Sequence, residues 1–241
     1  VRPRGVIRST ADGKIEDVGP LTRKRMETID EEFLDAALKF MEKTHKSGKP
    51  FFSWFNSSRM HYYTHIKPQS VGLSGQDFYN DGMVEHDNHV GRLLKKLEDM
   101  GVSKNTIVIY TTDNGVHFNQ WPDAGVTPFR GEKNTNWEGG FRVPMVMRWP
   151  GHIKADSVSN EMMSLLDFVP TLMAAAGVPD IKEKLLNGHE AAGKKFNVHL
   201  DGYNFLPYLE GKEKKGPRSE FFYFSDDGKL QILSEGKHRK F

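Results

Sequence analysis

The chain has 241 residues, of which 37% are hydrophobic and 27% are charged, as expected for one large globular domain or a domain with a small lobe. Its 34 basic and 32 acidic residues give a net charge of +2, which argues against nucleic acid or an anionic membrane as a partner. No apolar stretch approaches the roughly 20 residues of a membrane helix. Because cysteine is absent, disulfides, thiolate metal sites and thiol nucleophiles are excluded.

The first half of the chain alternates predicted helices and strands. Residues 1–21 are polar and rich in glycine, which predicts a loop. Apolar residues at three- and four-residue steps predict a helix over roughly Thr22–Lys46 and a second over Phe78–Met100. The apolar runs Phe51–Phe55 and Thr106–Thr111 predict buried strands. Strands that alternate with helices in this way are typical of an α/β fold with a parallel sheet.

The second half begins with a long loop over residues 112–142, whose tryptophan and phenylalanine residues favour a packed rather than a disordered segment. A further strand is predicted over Val143–Trp149. Near the end of the chain, Phe221–Phe224 and Leu230–Leu233 flank an Asp-Asp-Gly sequence at 226–228. This pattern predicts a β-hairpin.

Polar residues follow the predicted strand Thr106–Thr111 at the point where a ligand site is expected in an open α/β sheet. Asp113 and Asn114 offer hard oxygen atoms, which suit Ca²⁺ or Mg²⁺. Lys133, nineteen residues after Asn114, is a point charge suited to a tetrahedral anion. An ordinary surface turn and a solvated lysine remain the alternative interpretation of the same residues.

Histidines follow the other predicted strand, Phe51–Phe55. His61 and His65 both lie in the loop after it, and imidazole suits an acid that protonates a leaving alkoxide near neutral pH. His86 and His89 stand three residues apart on a predicted helix, where solvated side chains are expected. His117 is a candidate for substrate contact and not for catalysis.

Three blocks of the sequence together resemble the type I sulfatases, the arylsulfatase family of the alkaline phosphatase superfamily: Thr-Asp-Asn-Gly at 112–115, Phe-Arg-Gly-Glu-Lys at 129–133 and Trp-Glu-Gly-Gly-Phe-Arg-Val-Pro at 137–144. The resemblance implies an alkaline-phosphatase-like α/β fold, in which part of a mixed, mostly parallel sheet is flanked by helices and followed by a small C-terminal antiparallel sheet. Residues 1–180 are then the C-terminal part of the sulfatase α/β domain, and residues 181–241 begin the small subdomain.

The resemblance also implies roles for individual residues. Asp113 and Asn114 match metal ligands of the family, which implies one Ca²⁺ in preference to Mg²⁺, shared with two aspartates near the start of a full-length member. Lys133 matches the lysine that binds sulfate. His61, eleven residues after Pro50, fits the spacing of the family's active-site histidine better than His65. The usual His-x-Pro is His61-Tyr62-Tyr63 here, which leaves the choice between the two histidines open.

The family's nucleophile has no counterpart in the chain. These sulfatases attack with a formylglycine made from Cys or Ser in a Cys/Ser-x-Pro-x-Arg motif, and this sequence contains no such motif. We therefore expect a fragment that lacks the N-terminal half of the family, including the formylglycine. We also expect such a fragment to expose apolar strand residues and to be marginally stable or prone to aggregation.

The predicted function is that of a sulfuric ester hydrolase that acts on a sulfate ester small molecule or a sulfated glycan, inactive as the isolated chain. A phosphoesterase of the same superfamily is one alternative, although Asn114 stands where those enzymes carry a histidine. A non-catalytic module that binds a cation or sulfate is another. The resemblance also implies a periplasmic or secreted location. Aryl, sugar and lipid sulfates all remain open, because the alcohol side is read by variable loops, here Met60–Val71 and His117–Val126.

Overall fold

The computed structural model describes residues 5–224, 227–235 and 238–240. The chain divides into two compact units. The first unit contains residues 1–103 and 116–126, and the second contains residues 104–115 and 127–241. The predicted boundary between residues 180 and 181 remains a prediction.

The described residues form seven α-helices and nine β-strands. The helices are α1 (Arg23–Met26), α2 (Ile29–Lys46), α3 (Phe78–Asp99), α4 (Glu138–Phe141), α5 (Phe168–Ala175), α6 (Ile181–Asn187) and α7 (Leu206–Leu209). The strands are β1 (Gly5–Ser9), β2 (Ile15–Pro20), β3 (Val108–Thr111), β4 (Met145–Arg148), β5 (His189–Ala191), β6 (Lys194–Phe196), β7 (Glu220–Phe224), β8 (Leu230–Glu235) and β9 (His238–Lys240). Short 3-10 turns lie at Pro68–Ser70, Ser103–Asn105 and Leu165–Asp167.

The first unit opens with a β-hairpin, so the prediction of a loop over residues 1–21 is wrong for the described part. Strands β1 and β2 pair antiparallel. Their turn carries Gly13 at φ 82°, and the main chain of Thr10 both donates to Lys14 and accepts from Gly13. The signal was present in the sequence, since Asp12-Gly13 is a typical hairpin pair.

The predicted helices of the first unit are confirmed, with one break. Thr22 caps α1 as predicted, but the helix ends at Met26 and α2 begins at Ile29. Helix α3 begins after the cap Asp77, whose side chain accepts from the Asn80 N–H, and it ends before Gly101 at φ 69°. Gly101 adopts the left-handed conformation that glycine tolerates best after a helix.

The prediction of a strand over Phe51–Phe55 is wrong. The segment is irregular, and no strand among the described residues pairs with it. Phe52 and Trp54 are exposed, while Phe51, Ser53 and Phe55 are half-buried. A strand needs hydrogen-bonding partners from elsewhere in the chain, and an apolar run in the sequence does not supply them.

The second unit is built around β3 and β4, which pair antiparallel with Thr111 opposite Met145. All strand pairings among the described residues are antiparallel, so the mostly parallel sheet is not confirmed and remains a prediction. Asp167 is fully buried at the start of α5, where it accepts two hydrogen bonds from the guanidinium of Arg218 at 2.7 and 2.9 Å. This buried pair ties α5 to the segment that leads into β7.

The C-terminal hairpin is confirmed: β7 pairs antiparallel with β8, and β8 pairs antiparallel with β9. Asp226 of the predicted Asp-Asp-Gly turn lies outside the described residues. No helix of the described ranges combines the length and the apolar character that crossing a membrane requires.

Candidate functional site

Asp113 and Asn114 lie directly after β3, as predicted, in the second unit. Thr111 holds the end of this strand against the start of β4, because its hydroxyl donates to the Pro144 carbonyl at 2.9 Å. Asp113 is exposed and Asn114 is half-buried. The Asn114 side-chain nitrogen donates to the Gly115 carbonyl at 2.8 Å, which leaves the amide oxygen as the end that can accept or bind a cation.

Lys133 is half-buried and belongs to a tight turn over residues 132–135 of the same unit. The Thr135 N–H donates to the Glu132 carbonyl at 3.0 Å, and Asn134 adopts φ 66° at the third position of the turn. The Thr135 hydroxyl donates to the Glu132 carbonyl at 2.6 Å and accepts from the Glu132 N–H at 3.1 Å. The backbone that carries Lys133 is therefore fixed on both sides.

Glycines connect the turn to the strand end. The Gly115 N–H donates to the Gly140 carbonyl at 2.8 Å, and a Cβ at Gly115 would lie 1.7 Å from the Gly139 carbonyl oxygen. A Cβ at Gly140 would lie 2.4 Å from the Thr135 carbonyl oxygen. Only glycine allows backbones to approach this closely. The segments of Asp113–Asn114 and Lys133 are thus joined through the Trp-Glu-Gly-Gly sequence.

Arginine side chains cover the aromatic residues of this loop. The guanidinium of Arg130 lies 4.0 Å from the ring centre of Trp137, and that of Arg142 lies 4.3 Å from the ring centre of Phe129. These cation–π contacts hold the two arginines against the aromatic rings of the loop. They confirm that this part of the loop is packed.

Asp113 and Asn114 have the chemistry of ligands for a hard divalent cation, but two side chains are too few to complete its coordination. A carboxylate and an amide oxygen are ligands that Ca²⁺ prefers, and Ca²⁺ takes 6–8 oxygen ligands in all. Within the part of the chain that the structure describes, no group of three or more His, Cys, Asp or Glu residues is arranged to hold a metal ion. Asp113 and Asn114 can therefore supply a part of a calcium site.

His61 lies in the first unit, on an exposed turn in which its N–H donates to the Ser58 carbonyl at 2.9 Å. The turn is anchored by Arg59, whose side chain is 1% exposed. The Arg59 guanidinium donates twice to one carboxylate oxygen of Glu85, at 2.9 and 2.8 Å, and lies 3.5 Å from Asp30. Asp30 also accepts from the Ser58 N–H at 2.8 Å and from the Arg59 N–H at 3.2 Å.

The other histidines of the first unit differ in burial. His65 is half-buried, and burial together with the charge of Arg23 lowers its pKa. The expectation of solvated side chains is wrong for His89, which is 4% exposed, and burial lowers the pKa of both His86 and His89. His117 is half-buried, and its ring centre lies 5.8 Å from that of Tyr62.

Sequence reasoning missed the buried polar side of α3. Asp81, Glu85 and His89 recur at four-residue steps and are all buried. Asp81 accepts from Gly72 and Ser74, whose hydrogen bonds lower its pKa, and Glu85 accepts from Arg59. The four-residue spacing of polar residues was a visible signal, but the sequence does not show that Glu85 pairs with Arg59, which lies 26 positions away.

The chain is similar to known sulfatases over most of its length. The family model described as sulfatase matches residues 6–178, and the model described as N-sulphoglucosamine sulphohydrolase, C-terminal, matches residues 131–227. N-acetylgalactosamine-6-sulfatase of Mus musculus is 33% identical over 179 residues, which are 73% of this chain and 34% of that protein. Arylsulfatase A of Homo sapiens is 33% identical over 196 residues, which are 81% of this chain and 36% of that protein.

A solved structure gives the same result. The crystal structure of PsFucS1 sulfatase from Pseudoalteromonas sp. superposes with a TM-score of 0.84 at 31% identity, and the match covers 97% of this chain and 44% of that chain. The fold is that of a part of a sulfatase. The chain belongs to the sulfatase family, and it spans a little over a third of the length of the curated relatives given above.

Proposed function

We propose that the chain is the cation- and sulfate-binding part of a sulfuric ester hydrolase that converts a sulfate ester and water into an alcohol and inorganic sulfate. The observation that carries the proposal is the glycine-joined pair of segments that bears Asp113 and Asn114 on one side and Lys133 on the other. Membership of the sulfatase family supports the same conclusion.

In this proposal Lys133 binds the sulfate oxygens. Its backbone lies in a turn that is held by Thr135, so the start of the side chain is positioned before the substrate arrives. Negative charge builds on the oxygens as the ester bond breaks, and a fixed cation stabilises that charge more in the transition state than in the substrate.

His61 is proposed as the acid that gives a proton to the leaving oxygen. It is exposed on a turn whose base is fixed by Arg59 and Asp30, which is suitable for contact with a substrate. His65 is the weaker candidate, because burial and Arg23 lower its pKa and disfavour the protonated form that an acid needs.

Asp113 and Asn114 are proposed as two ligands of one Ca²⁺. A bound Ca²⁺ would polarise the sulfate oxygens as a Lewis acid. Its other ligands would be water, the substrate, or aspartates. Those aspartates would belong to the N-terminal half of the family, which this chain does not match. The formylglycine nucleophile is likewise assigned to that segment, since this chain contains no cysteine and no matching serine motif.

The proposed substrate is a sulfated sugar or glycan. One relative is named for a sulfated amino sugar, N-acetylgalactosamine 6-sulfate, and it matches 73% of this chain. A periplasmic or secreted location, taken from the family resemblance, is part of the same proposal.

The test compares two esters with one leaving group, 4-nitrophenyl sulfate and 4-nitrophenyl phosphate. We expect no turnover by the 241 residues alone, and turnover of the sulfate by a longer protein that adds the family's nucleophile-bearing segment. In that longer protein Lys133→Ala lowers kcat by about 10²–10³-fold. Lys154→Ala, at an exposed position of the same unit, is the matched control.

Each alternative has its own result. Preferred cleavage of the phosphate would support the phosphoesterase. Calcium and sulfate binding without turnover by the longer protein would support the non-catalytic module. Turnover by the 241 residues alone would contradict the assignment of the nucleophile to the missing segment.

A further inference from the structure

We propose that Tyr62, Tyr63 and His117 form a platform on which the ring of a sulfated pyranose stacks, next to the proposed acid His61. The inference rests on the proposed function, because it names the group that reads the alcohol side of the same substrate. All of these residues lie in the first unit.

Three rings meet on the surface at this point. The Tyr62 and Tyr63 ring centres are 4.6 Å apart with the planes at 82°, and the Tyr62 and His117 ring centres are 5.8 Å apart with the planes at 31°. Despite these contacts, Tyr62 is 43% exposed and Tyr63 is 70% exposed. A single exposed aromatic residue needs no explanation, but a contiguous group of them marks a binding surface.

The position of the rings fits the alcohol part of a sulfate ester. Tyr62 and Tyr63 follow His61 directly in the chain, so a leaving oxygen that accepts a proton from His61 brings its own carbon skeleton to these rings.

The platform is held in place before any ligand binds. Trp121 stacks on Phe78 at the start of α3, with ring centres 5.6 Å apart and planes at 10°. The main-chain N–H of Trp121 donates to the His117 carbonyl at 3.0 Å, so the segment that carries His117 is fixed by the same residue. A preorganised surface loses little conformational entropy when a ligand binds.

The chemistry of the three rings selects a sugar ring. The flat faces offer apolar contact to the C–H groups of a pyranose, and tyrosine hydroxyls and imidazole nitrogens can hydrogen-bond its hydroxyl groups. A reduced, open-chain sugar keeps the hydroxyl groups at C2–C4 but has no rigid face to place on the rings. We therefore expect the protein to bind the cyclic sugar sulfate more tightly than its open-chain form, although both carry the same sulfate charge.

The experiment measures by calorimetry, in calcium-containing buffer, the binding of galactose 6-sulfate, its ring-opened reduction product galactitol 6-sulfate, and inorganic sulfate. We expect Tyr63→Ala to weaken binding of galactose 6-sulfate by about three- to tenfold and to leave the other two unchanged. Tyr63→Phe should keep most of the affinity because it keeps the ring. Phe40→Ala, at an exposed aromatic position on α2, is the control and should change nothing.

The outcomes separate the two proposals. If the protein binds inorganic sulfate but does not distinguish the two sugars, or if Tyr63→Ala affects both equally, the platform is wrong and the proposed function stands. If none of the three ligands binds, the proposed function is wrong, and the platform with it.

Discussion

Replacement of Arg59 by methionine tests how the candidate histidine turn is held. The change removes the guanidinium and leaves two carboxylates, Asp30 and Glu85, buried without their cation. Both are at most 3% exposed at the side chain, so water does not compensate them. Loss of one partner of a buried ion pair costs about 3–5 kcal/mol, a large share of the roughly 5–15 kcal/mol that holds a typical domain folded.

Urea unfolding of Arg59→Met measures this cost as a change in the free energy of unfolding. Arg92→Met is the control, because Arg92 pairs with Asp35 at 2.9 Å while the two side chains are 47% and 53% exposed. An exposed pair contributes about 1 kcal/mol or less. The double variant Arg59→Met with Glu85→Leu should recover part of the loss, since it also removes a stranded carboxylate. If Arg59→Met costs no more than Arg92→Met, the anchoring role of Arg59 is wrong.

Two further variants probe the site and the core. Gly139→Ala would place a Cβ 2.1 Å from the Gly131 carbonyl oxygen and should destabilise the protein by about 1–3 kcal/mol in thermal unfolding. The control Gly91→Ala, at an exposed position of α3 with no atom near the new Cβ, should stabilise the protein slightly. Equal effects of the two variants would contradict the close packing of the glycines. Burial lowers the pKa of His89 below its ordinary 6.5, although the nearby carboxylates of Asp30, Glu31 and Glu85 act in the opposite direction. As pH falls, His89 is therefore protonated in the unfolded state at a higher pH than in the folded state. The free energy of unfolding should decrease as pH falls below about 6.5. In urea unfolding, His89→Leu should remove this decrease in stability at low pH, whereas the control His45→Asn, at an exposed position, should not. An unchanged pH dependence in His89→Leu would refute the role of His89.

Local signals in the sequence predicted the elements that depend on local interactions. Helix α3 was predicted almost to the residue, because Asp77 caps its start and Gly101 adopts the left-handed conformation after its end. The predicted strand Thr106–Thr111 begins two residues before the observed strand β3. The predicted end of the strand, after which Asp113 and Asn114 follow, was correct.

Features that depend on distant partners could not be predicted. Phe51–Phe55 has the composition of a strand, but strand formation needs a neighbour that the composition does not specify. The burial of Glu85 could not be predicted, because Arg59, its partner, lies 26 positions away. The chemistry of Lys133 was suggested by its motif, whereas the close approach of Gly115 to Gly139 became visible only in three dimensions.

We propose that Lys133 binds a sulfate group whose other side faces a cation held by Asp113 and Asn114. Calorimetric titration with inorganic sulfate, with and without Ca²⁺, measures this binding. We expect Ca²⁺ to tighten sulfate binding and Lys133→Met to weaken it by about ten- to a hundredfold, while Lys154→Met should not change it. Equal sulfate affinity in Lys133→Met and the unmodified protein, or no effect of Ca²⁺, would contradict it.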